Sequence, residues 1–276
     1  MTLTIGFSPC PNDTFIFDAL INNKVDTEGI VFDYRLEDVE TLNRLARSGE
    51  LDITKISYGV LPLVLRDYIV LNSGGALGKG VGPLLVSRKA LSEEELSKSD
   101  VVLPGIHTTA HLLFTMAYPD VHHKRFIPFD KIEDAVLNGE ADAGVIIHEN
   151  RFTYESKGMV KISDLGAIWE EKMKQPIPLG GIIIRRSLGK DQAKKVDRII
   201  RRSLEFAFAA LPELPDFVRE NAQEMDQAVM RQHIDLYVND HSLDLGTGGK
   251  AAVWQLLMVS SRLHPEPASG SFEVFL

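Results

Sequence analysis

The residues best placed to do chemistry together stand in one run. His148, Glu149, Asn150 and Arg151 follow directly on the apolar stretch Ala143–Ile147. A buried strand that ends in an imidazole, a carboxylate, an amide and a guanidinium can move a proton and hold an anion in one place. Histidine titrates near neutrality, so His148 at the edge of an apolar crevice suits general-base work. The plainer alternative is a histidine hydrogen-bonded at a strand end. Arg151 either holds an anionic group of a ligand or pairs with Glu149 or Glu155.

A second run, PGIHTTAH at 104–111, reads as a turn leading into a helix start. Unpaired backbone N–H groups at a helix start, with the hydroxyls of Thr108 and Thr109, can hold an anion. The competing reading gives Thr108 only a capping role. His107 and His111 have the four-residue spacing of a metal pair, but no HExxH pattern or cysteine cluster supports them, so no metal is expected. GALGKGVG at 75–82 resembles a phosphate loop superficially, since Gly80 stands where Ser or Thr is needed; it reads as a hinge. Cys10, between two prolines, is either an activated thiol near a cleft or a small buried residue. His122-His123 reads as surface.

These side chains need strands and helices to position them. Leu3–Phe7 is a short β run, Ser8–Asp13 a loop and Phe15–Asn22 a helix. Ile30–Leu36 is a second strand. Glu37–Ser48 is an amphipathic helix stopped by Gly49, and Leu51–Ile56 is a strand that reaches Ser57. Further on come strands at Pro83–Ser87, Val101–Leu103 and Ile182–Ile184, with a helix at Thr108–Ala117. Asp130 and Glu133 have capping-box spacing for another helix. From Asp191 the pattern is helical to the end, interrupted at Leu211-Pro212, Leu214-Pro215 and glycines 246, 248 and 249.

Ser48–Ser57 and Asn138–His148 share a helix end, a Gly-Glu-x-Asp string and an apolar run ending in a polar residue, 8 and 9 residues after the respective glycine. Two such units suggest two α/β lobes, each presenting a strand end to a shared crevice. We expect residues 1–80 with 188–276 to form the larger lobe, with C-terminal helices, and 81–187 the smaller.

At 276 residues and 44% apolar, the chain can fill more than one core. A net charge of -9 argues against nucleic acid or anionic membrane as partner. The single cysteine excludes an intrachain disulfide and suits a reducing compartment. With no signal-peptide pattern and no run of about 18 apolar residues, a cytoplasmic location is expected.

The strings SPCPNDTF at 8–15, KISYG at 55–59, GKGVGPLLV at 78–86, PGIHTTAHLL at 104–113, GEADAGVIIHENRFTY at 139–154 and IPLGG at 177–181 carry a resemblance. Together they resemble the 1,4-dihydroxy-6-naphthoate synthases of the futalosine route to menaquinone. The resemblance implies an α/β, two-lobed, periplasmic-binding-protein-like fold of type II, working as an enzyme on a small carboxylated substrate without a cofactor. It also implies that His148 is the proton acceptor and that Lys55, Ile56 and Ser57, with Thr109, Ala110 and the adjacent Thr108, contact the ligand. Roles for Cys10 and Asn12 stay open. The alternatives are the sibling chorismate dehydratase and a solute-binding protein for a small carboxylate.

Overall fold

The computed structural model describes residues 1–222, 226–263 and 272–276. In chain order, β1 (Thr2–Phe7), β2 (Val31–Leu36), β3 (Ile53–Ser57), β4 (Tyr68–Val70) and β5 (Ala76–Gly78) belong to a first sheet. The chain then crosses to a second sheet made of β6 (Leu84–Ser87), β7 (Val101–Leu103), β8 (Lys124–Phe126), β9 (Ala143–Ile146) and β10 (Val160–Asp164). It returns in β11 (Ile177–Arg185), which pairs with β3, β4 and β5 of the first sheet. A division that follows the sheets therefore returns to the first lobe before Ile177, whereas the sequence-based one returns after 187.

The sheet orders are β2-β1-β3-β11-β4, with β5 beside β11, and β10-β6-β9-β7-β8. β3 lies between parallel β1 and antiparallel β11. β9 lies between parallel β7 and antiparallel β6. Both are fully buried; β9 accordingly reads as a continuous apolar run, whereas β3 buries Thr54, Lys55 and Ser57 among its isoleucines. The preceding helices, Val39–Ser48 and Ile132–Leu137, stop in the same way. Gly49 (φ 69°) and Gly139 (φ 78°) take the left-handed conformation, and the N–H groups of each glycine and its following Glu bond back to helix carbonyls.

A continuous apolar core joins the lobes. It runs from Ile56, Tyr58 and Ile183 on the first sheet, through Leu112–Phe114 and Trp169, to Leu85, Val101 and Val145 on the second. Apolar packing, not only the connecting chain, joins the two sheets.

Several elements differ from the sequence reading. The first helix begins at Pro11, so Ser8–Asp13 is not all loop: a proline in the first helical turn loses no hydrogen bond and presets φ. The Asp130/Glu133 capping box does not form. Phe129–Lys131 is a tight turn, the helix starts after Lys131, and Glu133 pairs with Lys157. The C-terminal region is not helical throughout, because Phe275 bridges to Val70 beside the first sheet. β4, β5, β8 and β10 escaped the reading, three of them being only three residues long. No helix among the described residues is long and apolar enough to cross a membrane.

Candidate active site

A cleft opens between the sheets, with about 680 Å³ of space not filled by protein atoms, its open mouth included. The first lobe lines it from the start of the first helix and the end of β3. Asp13, only 2% exposed, accepts from the N–H and hydroxyl of Ser8 and from the Asn12 amide, and lies 3.0 Å from Lys55 Nζ. Lys55 also donates to the Gly74 carbonyl. A buried ammonium survives only when so paired; no third partner of Lys55 occurs among the described residues. The next strand residue, Ile56, lines the wall. Ser57 is fixed by its N–H, which donates to Asn43 Oδ1, while its hydroxyl has no partner among the described residues and lines the cleft.

The second lobe contributes the helix Thr109–Ala117. Both threonine hydroxyls are already committed. Thr108 Oγ1 accepts from His111 N and donates to Gly105 O. Thr109 Oγ1 donates to Leu179 O at 2.6 Å and accepts from Gly59 N at 3.0 Å. What the helix start offers a ligand is therefore the N–H groups of Thr109 and Ala110, both on the cleft wall. The sequence reading had counted the hydroxyls as well.

His148 lies two residues beyond β9, with φ at 58°, a conformation that costs a non-glycine residue about 1–2 kcal/mol. Its ring stacks on His233 (centroids 6.1 Å apart) and meets the edge of Phe129 at 5.0 Å. Nε2 is sealed from bulk solvent and has no partner among the described residues. Burial pushes the imidazole below its ordinary value of 6.5; nearby carboxylates, Glu149 foremost, pull the other way. Burial thus favours the neutral ring, and His148 is among the residues that line the cleft.

The lobes touch around this site. Thr109 Oγ1 links β11 to the turn after β3 through the two bonds above. The His107 N–H donates to Glu40, and the His107 carbonyl accepts from Asn43. Arg47 donates to His107 Nε2, so that ring cannot act as a metal ligand through the same nitrogen, and His111 Nδ1 faces Ile106 O. A Cβ at Gly59 would stand 2.7 Å from the Thr108 carbonyl carbon and oxygen, so only glycine permits this approach.

Residues 3–261 match the family model described as menaquinone biosynthesis. The chain belongs to that family. Two curated relatives are each named "1,4-dihydroxy-6-naphtoate synthase". The Thermus thermophilus protein is 46% identical over 92% of both chains, and the Streptomyces coelicolor protein is 43% identical over 98% of this chain and 96% of its own. A crystal structure of a protein from Archaeoglobus fulgidus superposes with TM-score 0.89 at 32% identity, covering 95% of this chain and 97% of that one. The periplasmic aliphatic sulphonate binding protein of Escherichia coli, at 11% identity and TM-score 0.65 over 96% and 89%, shares the fold alone. The fold is thus that of the periplasmic binding proteins, and the family context is menaquinone biosynthesis.

In this family member the cleft brings together His148, Lys55, Ile56, Ser57, Thr108, Thr109, Ala110 and Asn12. Cys10 and Arg151 lie off its wall. Cys10 precedes the first helix, 4% exposed, with burial and then Glu149 pushing its thiol well up; its sulfur, a His148 nitrogen and a Glu149 oxygen lie within 4.8 Å of one another. Arg151 pairs with Asp164 at 3.4 Å and donates to Gly82 O, not to Glu149 or Glu155. Tyr237 and His233 escaped the sequence reading; Asp13 stands in the loop whose role it left open, and Leu179-Gly180 in the IPLGG string to which it gave no site role. For His233 a signal existed: it shares the buried face of its helix, Gln227–Tyr237, with Met230, Ile234 and Tyr237, where an apolar residue is the rule.

Proposed function

We propose that the chain converts cyclic dehypoxanthine futalosine to 1,4-dihydroxy-6-naphthoate, acting in the cytoplasm as a carbon–carbon lyase. The observation that carries this reading is His148 on the cleft wall, its Nε2 buried without a partner among the described residues, across from the N–H and O–H donors of Lys55, Ser57, Thr109 and Ala110. His148 takes a proton from the carbon beside the ring carbonyl. The C–H electron pair becomes an enolate, which expels the sugar-derived carbon as the second ring becomes aromatic. The departing fragment then takes up a proton and His148 returns to its neutral form. Electrons stay within the substrate, so the step as written needs no redox partner. The Thr109 and Ala110 N–H groups bind the naphthoate carboxylate, while Ser57 and Lys55 donate to ring or sugar oxygens. Closure of the lobes keeps water from the enolate.

The direct test is incubation of purified protein with cyclic dehypoxanthine futalosine, followed by naphthoate absorbance. Consumption of chorismate instead, or binding without turnover, would replace the proposal with a dehydratase or a solute-binding protein. The anion site is tested by a pair of variants that both lack the Thr109 hydroxyl. Thr109→Pro suits the first helical position after an extended Thr108 but removes the N–H, and Thr109→Val keeps it. The proline variant should show a KM about tenfold above that of the valine variant. Equal KM values would move the carboxylate elsewhere.

A further inference from the structure

Three buried polar atoms gather around His148 without partners. His148 Nε2, Glu149 Oε2 and His233 Nδ1 have none among the described residues, and Glu149 and His233 are only 5% and 0% exposed. Glu149 Oε2 and His233 Nδ1 stand 3.7 Å apart, too far for a hydrogen bond. The Cys10 sulfur belongs to the same group: it, a His148 nitrogen and a Glu149 oxygen lie within 4.8 Å of one another. Burial pushes His233 well below its ordinary value, so its ring is neutral. Asn12 donates its amide N–H to Asp13 Oδ1 at 2.8 Å, which turns its carbonyl oxygen to His233 Nε2, also at 2.8 Å. The ring N–H therefore sits on Nε2 and the lone pair on Nδ1. Histidines that bind metals are typically oriented like this, by an acceptor at the other nitrogen.

Two imidazoles, a carboxyl and a sulfur are a set of ligand atoms. One water has two hydrogens and can satisfy two acceptors; a single dication can engage all four groups. A zinc tetrahedron with bonds of about 2.0–2.3 Å has edges of roughly 3.3–3.7 Å. The Glu149–His233 spacing is close to that length, and Cys10, His148 and Glu149 reach it by each closing in less than about 1 Å. A thiolate and a carboxylate cancel the charge of the dication, as a buried site requires. Sulfur and imidazole ligands select zinc over magnesium or calcium.

We propose that Cys10, His148, Glu149 and His233 form a site for one Zn²⁺, and that zinc bound there stops turnover. A neutral imidazole has a single lone pair, and the ion takes it from His148 whichever nitrogen coordinates. His148 then has nothing left with which to accept a proton. The ion enters through the cleft, because His148 lines it while Cys10, Glu149 and His233 stand off its wall. On binding, the Cys10 thiol releases its proton to solvent. Zinc is here an inhibitor and takes no part in the reaction. The inhibition rests on the reading of His148 as base; the metal binding does not.

The experiment adds Co²⁺ or Zn²⁺ alone to the intact protein. Co²⁺ should give the intense visible bands of a four-coordinate ion and a thiolate-to-cobalt charge-transfer band in the near ultraviolet, saturating at one ion per chain. Zn²⁺ should displace it and Mg²⁺ should not. Cys10→Ala, which trims a small buried side chain, should lose the charge-transfer band and weaken the Kd for zinc on the order of 100-fold. Zinc should inhibit the unsubstituted protein, and Cys10→Ala, measured against its own metal-free rate, should need more zinc by the same factor. Absence of the charge-transfer band, or a band that survives Cys10→Ala, would overturn the site. Cobalt bound as described with turnover untouched by zinc would overturn the inhibition, and His148→Asn then locates the fault. Near-normal turnover in that variant places it in the base assignment; a large fall places it in the coordination of His148 by the metal.

Discussion

The units Val39–Ser57 and Ile132–His148 follow one plan up to their last residues. Each is a helix stopped by a left-handed glycine, then a buried strand between one parallel and one antiparallel neighbour. They finish differently. Ser57 is still in its ladder, opposite Gly180, while the second ladder ends at Ile146 opposite Leu84 and His148 lies beyond it with φ at 58°. A residue kept in the ladder has its backbone fixed by pairing and presents a donor at no conformational cost. A residue that leaves the ladder can be aimed, and the packing of Phe129 and His233 must then hold it there. The Ser57 end is unstrained and the His148 end is strained.

Perturbing each end should expose that difference. The largest effect is expected on stability in the first lobe. Lys55→Met leaves Asp13 ionised and buried without its cation, at a cost of about 3–5 kcal/mol in denaturant unfolding. His148→Asn should fold with little loss, since asparagine tolerates the left-handed conformation, while turnover falls on the order of 100-fold, or about 2.7 kcal/mol. If it melts as early as Lys55→Met does, the two ends do not differ as described.

The contact between the lobes comes next. Gly59→Ala puts a methyl group into the Thr108 backbone and should cost about 1–3 kcal/mol, read mainly as a raised KM because the cleft no longer closes fully. An unchanged KM would mean that closure does not depend on this approach. The smallest effect is on pH dependence. Protonated His148 cannot accept, and burial lowers its proton affinity, so the acid limb of kcat/KM should fall below the ordinary 6.5. A limb at or above 6.5 would show that the site does not hold the ring neutral.

How much of this was legible depended on how local each signal was. The two helix-glycine-strand units were readable because a left-handed stop and a doubly buried strand leave local marks in composition. The first helix was misplaced because Pro9 and Pro11 read as loop residues, although Pro11 occupies a first-turn position that favours helix. Arg151 could not be assigned, since Asp164 reaches it from the end of β10, which is placed by pairing with β6 and not by sequence proximity. Thr109 was given a ligand role for its hydroxyl, but β11 and Gly59 take that hydroxyl from across the cleft.

The sequence by itself determined which side chains stand at the two strand ends and, through the strings around them, the family and fold, because periodicity, glycine stops and motif order are properties of neighbouring residues. Only the tertiary structure decided which polar atoms are already satisfied and which remain free. His233 and Asn12 are 221 residues apart, yet Nε2 of the one meets Oδ1 of the other at 2.8 Å, behind the ring of His148. Hydrogen-bond accounting in a buried site depends on every group within reach, and reach is set by packing.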